Sequence, residues 1–124
     1  MMRLAAATVA CLLALGTSAA NAVCSTTQVE GFWYLTGSVA GGYCRVRFSR
    51  EGVVPRTQCV NEHGGPGGVV SARITLDGAC RLSGSLTFDG VRFSVVGRTD
   101  SDVHLFNGVA ISPAGNFGIS GSHL

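Results

Sequence analysis

Apolar and polar residues alternate with a period of two from Leu82 to Val96, as in a strand with one buried face. The pair Asp89-Gly90 interrupts this alternation, and Asp-Gly is favoured in a two-residue type I′ turn because both residues take positive φ. The turn pairs Phe88 with Val91, Leu86 with Phe93, Gly84 with Val95, Thr87 with Arg92 and Ser85 with Ser94. A slip by one residue would place apolar residues beside polar ones, so the pattern predicts this antiparallel hairpin in this register.

The remainder of the chain has the same character: short strand-like runs separated by turn residues. Asn61 to Gly68 is expected to be a mobile, glycine-rich loop, and Pro55 indicates that its strand lies at an edge. Asn107-Gly108 allows a short hairpin within the seventh run as an alternative to one strand. The other predicted strands are Val29 to Val39, Cys44 to Phe48, Val53 to Val60, Val69 to Leu76, Val103 to Ser112 and Phe117 to His123.

The Asp77-Gly78 turn is constrained by the faces of the strands on either side. A two-residue loop would pair Ile74 with Arg81, whereas a loop over residues 77–79 pairs Ile74 with Leu82. We therefore predict the three-residue loop, with Gly78 at positive φ.

Seven or eight short antiparallel strands in chain order form a meander, whose edges must be covered or closed. The sequence therefore predicts an all-β fold, either a small barrel or a two-sheet sandwich. No stretch after residue 22 has a convincing helical period.

The first 22 residues have the features of a secretory signal peptide. Arg3 provides the positive start, Leu4 to Leu15 is apolar, and Ala20-Asn21-Ala22 fits the cleavage pattern. Cleavage leaves 102 of the 124 residues as one β domain, residues 23–124. The apolar run is too short to span a membrane as a helix. The absence of Lys and the abundance of Gly, Ala, Val and Arg indicate a bacterium, and hence a periplasmic or secreted protein.

Four cysteines remain after the signal peptide, an even number that predicts two disulfides in an exported chain. Gly42-Tyr43-Cys44-Arg45-Val46 resembles Gly78-Ala79-Cys80-Arg81-Leu82, 36 residues later, which divides the domain into possible repeat units 24–58, 59–95 and 96–124. Equivalent cysteines would then form equivalent bridges, which favours Cys24–Cys44 and Cys59–Cys80 over the two other connectivities.

Charge gives little indication of a partner, since the mature chain carries a net charge of about +1. It offers no basis for binding nucleic acid. Arg45, Arg47, Arg81 and Arg92 are predicted on outward faces, where they either bind an anionic polysaccharide or partner protein or simply remain solvated. His63 lies in the glycine-rich loop, the segment best placed to carry binding.

No residue set predicts catalysis or a cofactor. The chain has no Gly-x-Ser-x-Gly elbow before a helix and no phosphate-binding loop. Asp100, Asp102 and His104 would share one face of an extended segment and could hold a divalent metal. The simpler interpretation is a solvated turn, and we expect no metal.

Gly31-Phe32-Trp33 resembles the Gly-x-Trp that opens the first strand of lipocalin-like and avidin-like barrels. With Cys44-Arg45-Val46-Arg47-Phe48 following, the segment is similar to the start of the small periplasmic inhibitors of bacterial metalloproteases. That resemblance implies a small barrel with Trp33 as a plug at its closed end, a Cys44–Cys59 disulfide and an N-terminal segment that blocks the protease.

These observations predict an exported, non-catalytic β protein of the bacterial envelope, with a binding or structural role. A periplasmic protease inhibitor is the alternative, and a small metal-dependent enzyme using Asp100, Asp102 and His104 is a third hypothesis.

Overall fold

The computed structural model describes residues 23–38 and 41–124 and shows an all-β fold of eight antiparallel strands. The predicted signal peptide and Val39, the expected end of the first strand, lie outside these residues. A 3-10 turn at Thr26–Val29 precedes the first strand. The strands are β1 (Gly31–Gly37), β2 (Cys44–Phe48), β3 (Val53–Val60), β4 (Pro66–Leu76), β5 (Arg81–Phe88), β6 (Val91–Thr99), β7 (Leu105–Ser112) and β8 (Gly115–His123).

The sheet closes almost completely into a barrel. Each strand from β3 to β8 pairs with the next one in the chain, and β8 returns to pair with β1, which also pairs with β2. Between β2 and β3 the described residues form a turn hydrogen bond of 2.9 Å from the Ser49 amide to the Val53 carbonyl and, at the other end, one antiparallel bridge, in which Tyr43 and Val60 exchange hydrogen bonds of 3.0 and 2.8 Å. We call this junction the seam. The strand order therefore shows a barrel rather than a two-sheet sandwich. Strand β3 lies at one side of the seam, which confirms the edge position predicted from Pro55.

The β5–β6 hairpin confirms the predicted register. All five cross-strand pairs, from Phe88 with Val91 to Gly84 with Val95, are present. Asp89 and Gly90 have φ of 49° and 81°, the two positive values of a type I′ turn.

The β4–β5 turn is longer than predicted. Leu76 pairs with Leu82 and Ile74 with Gly84, so the predicted pairing of Ile74 with Leu82 is wrong by two residues, although the same faces meet. Residues 77–80 connect the strands, and Cys80 rather than Gly78 takes positive φ, at 64°. The reason is the Asp77 carboxylate, whose Oδ1 accepts hydrogen bonds of 2.9 Å from the Ala79 and Arg81 amides. This Asx-type turn competes successfully with the shorter loop.

The disulfides are Cys24–Cys80 and Cys44–Cys59, so the pairing favoured by the internal repeat is wrong. Strand β1 separates Cys24 from Cys44, and β4 separates Cys59 from Cys80, which places each proposed pair at opposite ends of the barrel. Cys44 and Cys59 instead adjoin the Tyr43–Val60 bridge. This second bridge is the one that the inhibitor resemblance implies.

Other boundaries also differ from the sequence prediction: Val29 belongs to the 3-10 turn, β7 begins at Leu105 and β8 begins at Gly115. Strand β4 begins at Pro66, so the expected loop over residues 61–68 is confined to 61–65, where Asn61 Oδ1 accepts from the His63 and Gly65 amides. Asn107-Gly108 is not a turn but lies inside β7, with Gly108 opposite Gly97.

One end of the barrel is filled, and we call it the closed end. Trp33 is 1% exposed there and donates from Nε1 to the Val29 carbonyl at 2.8 Å. The His123 ring stacks on Trp33 with 4.5 Å between centroids, and its two nitrogens lie 3.1 and 3.0 Å from the Val103 and Glu30 carbonyl oxygens. The 3-10 turn is tied to this end, because Thr26 Oγ1 accepts from the Leu76 amide.

Candidate binding cavity

The other end of the barrel, the open end, contains an apolar cavity of about 490 Å³. It arises because inward-facing residues of the strands line a space that their side chains do not fill. The floor is formed by Phe48 and Phe106, which separate the cavity from Trp33 at centroid distances of 6.1 and 5.7 Å. The remaining apolar side chains of the wall are Leu35, Val60, Val70, Ala72, Ile74, Leu82, Leu86, Phe88, Phe93, Val95, Phe117 and Ile119.

Several wall residues that sequence alternation places inside are only half buried, because they face the cavity instead of packed neighbours. Phe88, Phe93 and Phe117 are examples. Phe93 and Phe117 meet edge to face, with ring centroids 4.9 Å apart. This contact fixes the positions of the two rings in the cavity wall. The cavity wall is therefore preformed by aromatic packing.

The mouth of the cavity is built from residues just before β2 and at the start of β4 that have little side-chain bulk. Gly41, Gly42, Gly67 and Gly68 all line it. Gly42 has φ of 90°, and a Cβ there would collide with the Val60 carbonyl oxygen, so the close approach at the seam requires glycine.

The Cys44–Cys59 disulfide is itself part of the cavity wall. It lies beside the Tyr43–Val60 bridge, and all four residues line the cavity. Because this bridge is the backbone link between β2 and β3 at the open end, the disulfide holds the seam closed at the level of the mouth.

Polar groups are confined to the rim. No polar or charged side chain is buried among the described residues, and the lining residues with polar side chains are Thr36, Tyr43, Asn61 and Asp89. Asn61 is occupied by its own turn, in which Nδ2 also donates to the Pro66 carbonyl at 3.3 Å. Asp89 Oδ1 accepts from the Val69 amide at 2.9 Å.

The four arginines predicted as a binding set do not converge. Arg45 and Arg47 extend from β2 over the outer face of Phe32, at 4.5 and 5.7 Å from its ring centroid. Arg81 begins β5, where it lies 3.9 Å from the Asp77 carboxylate, and Arg92 is on β6 opposite Thr87. The barrel wall therefore separates the β2 pair from the other two.

His63 lies on the exposed β3–β4 turn near the open end, with Nε2 3.5 Å from the Glu62 carboxylate. Its position is compatible with a role at the mouth, and it remains a predicted binding residue.

Asp100, Asp102 and His104 do come together, with ligand atoms within 4.8 Å of one another, but all three are exposed. They lie in the β6–β7 turn at the closed end, far along the strands from the mouth. Asp100 Oδ1 accepts from the His104 and Leu105 amides at 2.7 and 3.0 Å. The Leu105 amide, and after it that of His104, lowers the pKa of Asp100. The carboxylate thus has a structural function in the turn.

The cavity itself was not predicted from the sequence. Alternation identified part of its lining, including Leu86 and Phe93, as inward-facing, but the pattern is the same for a filled and a hollow interior. The one signal was the inhibitor and lipocalin-like resemblance, because barrels of that shape have an open end.

Comparison with protein-family models, curated proteins and solved structures finds no match for this chain. Within the described residues, no helix has the length and apolar character needed to cross a membrane.

Proposed function

We propose that the mature protein is an exported, non-catalytic binding protein that holds a small apolar molecule inside the barrel. The observation that carries this proposal is the preformed apolar cavity of about 490 Å³ with one open end. Binding pockets for small molecules have volumes of about 300–1,000 Å³ and mostly apolar walls.

The chemistry of the wall supports a ligand rather than water as the natural occupant. Water needs polar partners, and the polar side chains are restricted to the rim. An apolar molecule that enters would release water from Phe88, Phe93 and their neighbours, which is favourable by about 25 cal/mol for each Å² buried.

Export is supported by the two disulfides, since such bridges persist in oxidising compartments, and by the predicted signal peptide. A bacterial periplasmic or secreted location is part of the proposal. Such a location would suit a carrier or scavenger of small apolar compounds.

The test is binding of an environment-sensitive fluorophore to the mature protein, with two matched variants. Ala72 is half buried and lines the cavity, whereas Thr75 is exposed on the outer face of the same strand. We expect Ala72→Leu to weaken binding by about tenfold or more, because the added side chain occupies ligand space, and Thr75→Leu to leave it unchanged. Equal binding by both variants would overturn an interior site.

A periplasmic protease inhibitor is the second candidate. The Cys44–Cys59 bridge favours it, because the inhibitor resemblance implies this pairing. The Cys24–Cys80 bridge is unfavourable, because it fixes the segment that would have to enter the protease active site. Undiminished activity of secreted metalloproteases at micromolar excess of the protein would remove this candidate.

Arg45 and Arg47 provide a further surface for the protein or anionic envelope partner expected from the sequence. Both guanidinium groups are held over Phe32, and neither lies within 4.0 Å of a carboxylate among the described residues. Arginine and aromatic side chains are enriched where partners bind tightly. Unchanged pull-down of envelope components by an Arg45→Gln/Arg47→Gln variant would argue against this role.

A further inference from the structure

We infer that the cavity selects a compact amphiphile with a hydrocarbon body and a cationic or neutral head, and that it discriminates against carboxylate lipids. This inference rests on the proposed function, since it specifies the ligand of the same cavity. The inference follows from the distribution of charged side chains among the described residues, which places carboxylates at the rim and no charge in the interior.

The interior contains no group that could neutralise an anion. Among the residues that the structure describes, the side chains below the rim are apolar and none that lines the cavity is basic. Burying an ionised carboxylate without a partner is strongly unfavourable. A ligand carboxylate would therefore have to remain at the mouth.

The mouth carries carboxylates of its own. Asp89 sits on the β5–β6 turn, and a Cβ built on Gly68, which lines the mouth, would lie 2.8 Å from Asp89 Oδ2. While Oδ1 accepts from Val69, Oδ2 has no hydrogen-bond partner among the described residues. Asp89 thus presents a free carboxylate oxygen at the edge of the cavity.

Glu62 provides the second rim carboxylate, on the β3–β4 turn. A Cβ on Gly41, another mouth residue, would lie 2.6 Å from Glu62 Oε2. His63 Nε2 lies 3.5 Å from Glu62 Oε1, which leaves Oε2 directed at Gly41. The arginines nearest this end, Arg45 and Arg92, are on outward positions of their strands and are exposed. The rim is therefore acidic, which favours an ammonium head and disfavours a carboxylate.

The volume limits the length of the hydrocarbon body. At about 30 Å³ for each non-hydrogen atom, the share of a water molecule in the liquid, a cavity of about 490 Å³ holds at most about 16 such atoms. A ten-carbon chain fits inside, whereas long-chain acyl groups would project from the mouth. Decyl compounds are therefore the appropriate probes.

The test compares decylamine, 1-decanol and decanoate by displacement of the same fluorophore at neutral pH. We expect decylamine to bind about two- to fivefold more tightly than decanol, the effect of one solvent-exposed charge pair. Decanoate should bind about tenfold or more weakly than decanol.

Asp89→Asn isolates the head-group contact. Asn is tolerated at the positive φ of this turn position and keeps the Oδ1 acceptor for Val69, so the hairpin should be preserved. We expect the variant to lose most of the preference for decylamine over decanol, because only Glu62 then remains at the rim, with the affinity for decanol unchanged. Asp77→Asn is the matched control, because it makes the same change in a turn at the closed end and should alter neither affinity.

The outcomes separate the inference from the proposed function. Failure of all three probes to bind, with Ala72→Leu also without effect on the fluorophore, would refute a binding cavity altogether. Binding of decanoate as tight as that of decanol, blocked by Ala72→Leu, would leave the cavity intact and overturn the selectivity. An amine preference that is undiminished in Asp89→Asn would overturn the role of Asp89.

Discussion

The two ends of this barrel are built from the same eight strands, yet one is solid and the other is hollow. At the closed end Trp33 contacts Phe48, Phe106 and His123, and the N-terminal segment covers it. At the open end several glycines line the mouth, and aromatic side chains form part of the wall of an unfilled cavity. The comparison indicates that stability is concentrated at one end, which leaves the other free for binding.

The strained backbone conformations also lie at the closed end. Cys80 and Val103, both at the closed end, have φ of 64° and 54° although neither is glycine. A β-branched residue at positive φ is rare and persists only where the surroundings hold it firmly. At the open end the positive φ values belong to Asp89 and to glycines, which adopt them at low cost.

The largest expected effect is loss of the closed-end tryptophan. Trp33→Ala should reduce the free energy of unfolding by about 3–5 kcal/mol, because it removes a fully buried ring and its hydrogen bond to Val29. Phe93→Ala removes a cavity-lining ring that is half exposed to empty space, and should cost roughly half as much. Urea unfolding measures both values, and equal costs would contradict the difference between the ends.

The two disulfides should also separate stability from binding. Replacing Cys24 and Cys80 with Ala opens a link between residues 56 apart and should cost about 4 kcal/mol, whereas Cys44–Cys59, 15 apart, should cost about 3 kcal/mol. Only the second replacement should weaken fluorophore binding while the protein remains folded, because only that bridge holds the seam beside the mouth. Circular dichroism provides the folding control. An equal loss of binding in both variants would contradict the claim that the Cys44–Cys59 bridge holds the mouth of the cavity at the seam.

Val103 offers a smaller and more specific test of strain. Val103→Ala and Val103→Gly both lose a side chain that is 0% exposed. Glycine in place of alanine usually costs about 0.5–1 kcal/mol, but here it removes a left-handed strain of roughly 1–2 kcal/mol. Val103→Gly should therefore be at least as stable as Val103→Ala in urea unfolding, and a clearly less stable glycine variant would show that the position is not strained.

The smallest effect concerns pH. Because the pKa of Asp100 is lowered in the folded protein, its contribution to stability is complete above the ordinary pKa of about 3.9 and is lost as the pH falls through the lowered value. Asp100→Asn should therefore be less stable than the parent by under about 1 kcal/mol at neutral pH. The difference should shrink in acid, and a constant difference between pH 7 and pH 2–3, as rough end points, would show that the charge is irrelevant.

Local features of this fold could be predicted and tertiary ones could not. The β5–β6 hairpin followed from the Asp89-Gly90 turn and the alternation beside it, which both act over a few residues. The loop after Leu76 was predicted too short. The alternation of the flanking strands showed which faces must meet, but it did not show the hydrogen bonds that Asp77 accepts within the loop.

The disulfide pairing and the candidate site depend on how the barrel closes. Similarity between the segments around Cys44 and Cys80 favoured bridges within repeat units, but bridges form between cysteines at the same end of the barrel. Alternation likewise marked Leu86 and Phe93 as inward-facing without showing whether side chains fill the interior. That depends on strand number and on the summed volume of side chains from all the strands.

The most direct test of the central claim is a ¹⁵N NMR titration of the mature protein with 1-decanol. The account predicts shift changes for amides at the open end, among them Gly68, Phe88 and Ile119. The indole N–H of Trp33, which is the single tryptophan of the chain, and the Val103 amide should remain unperturbed. Changes centred on Trp33, changes confined to the outer face at Phe32, or no saturable change at all would contradict a binding cavity at the open end.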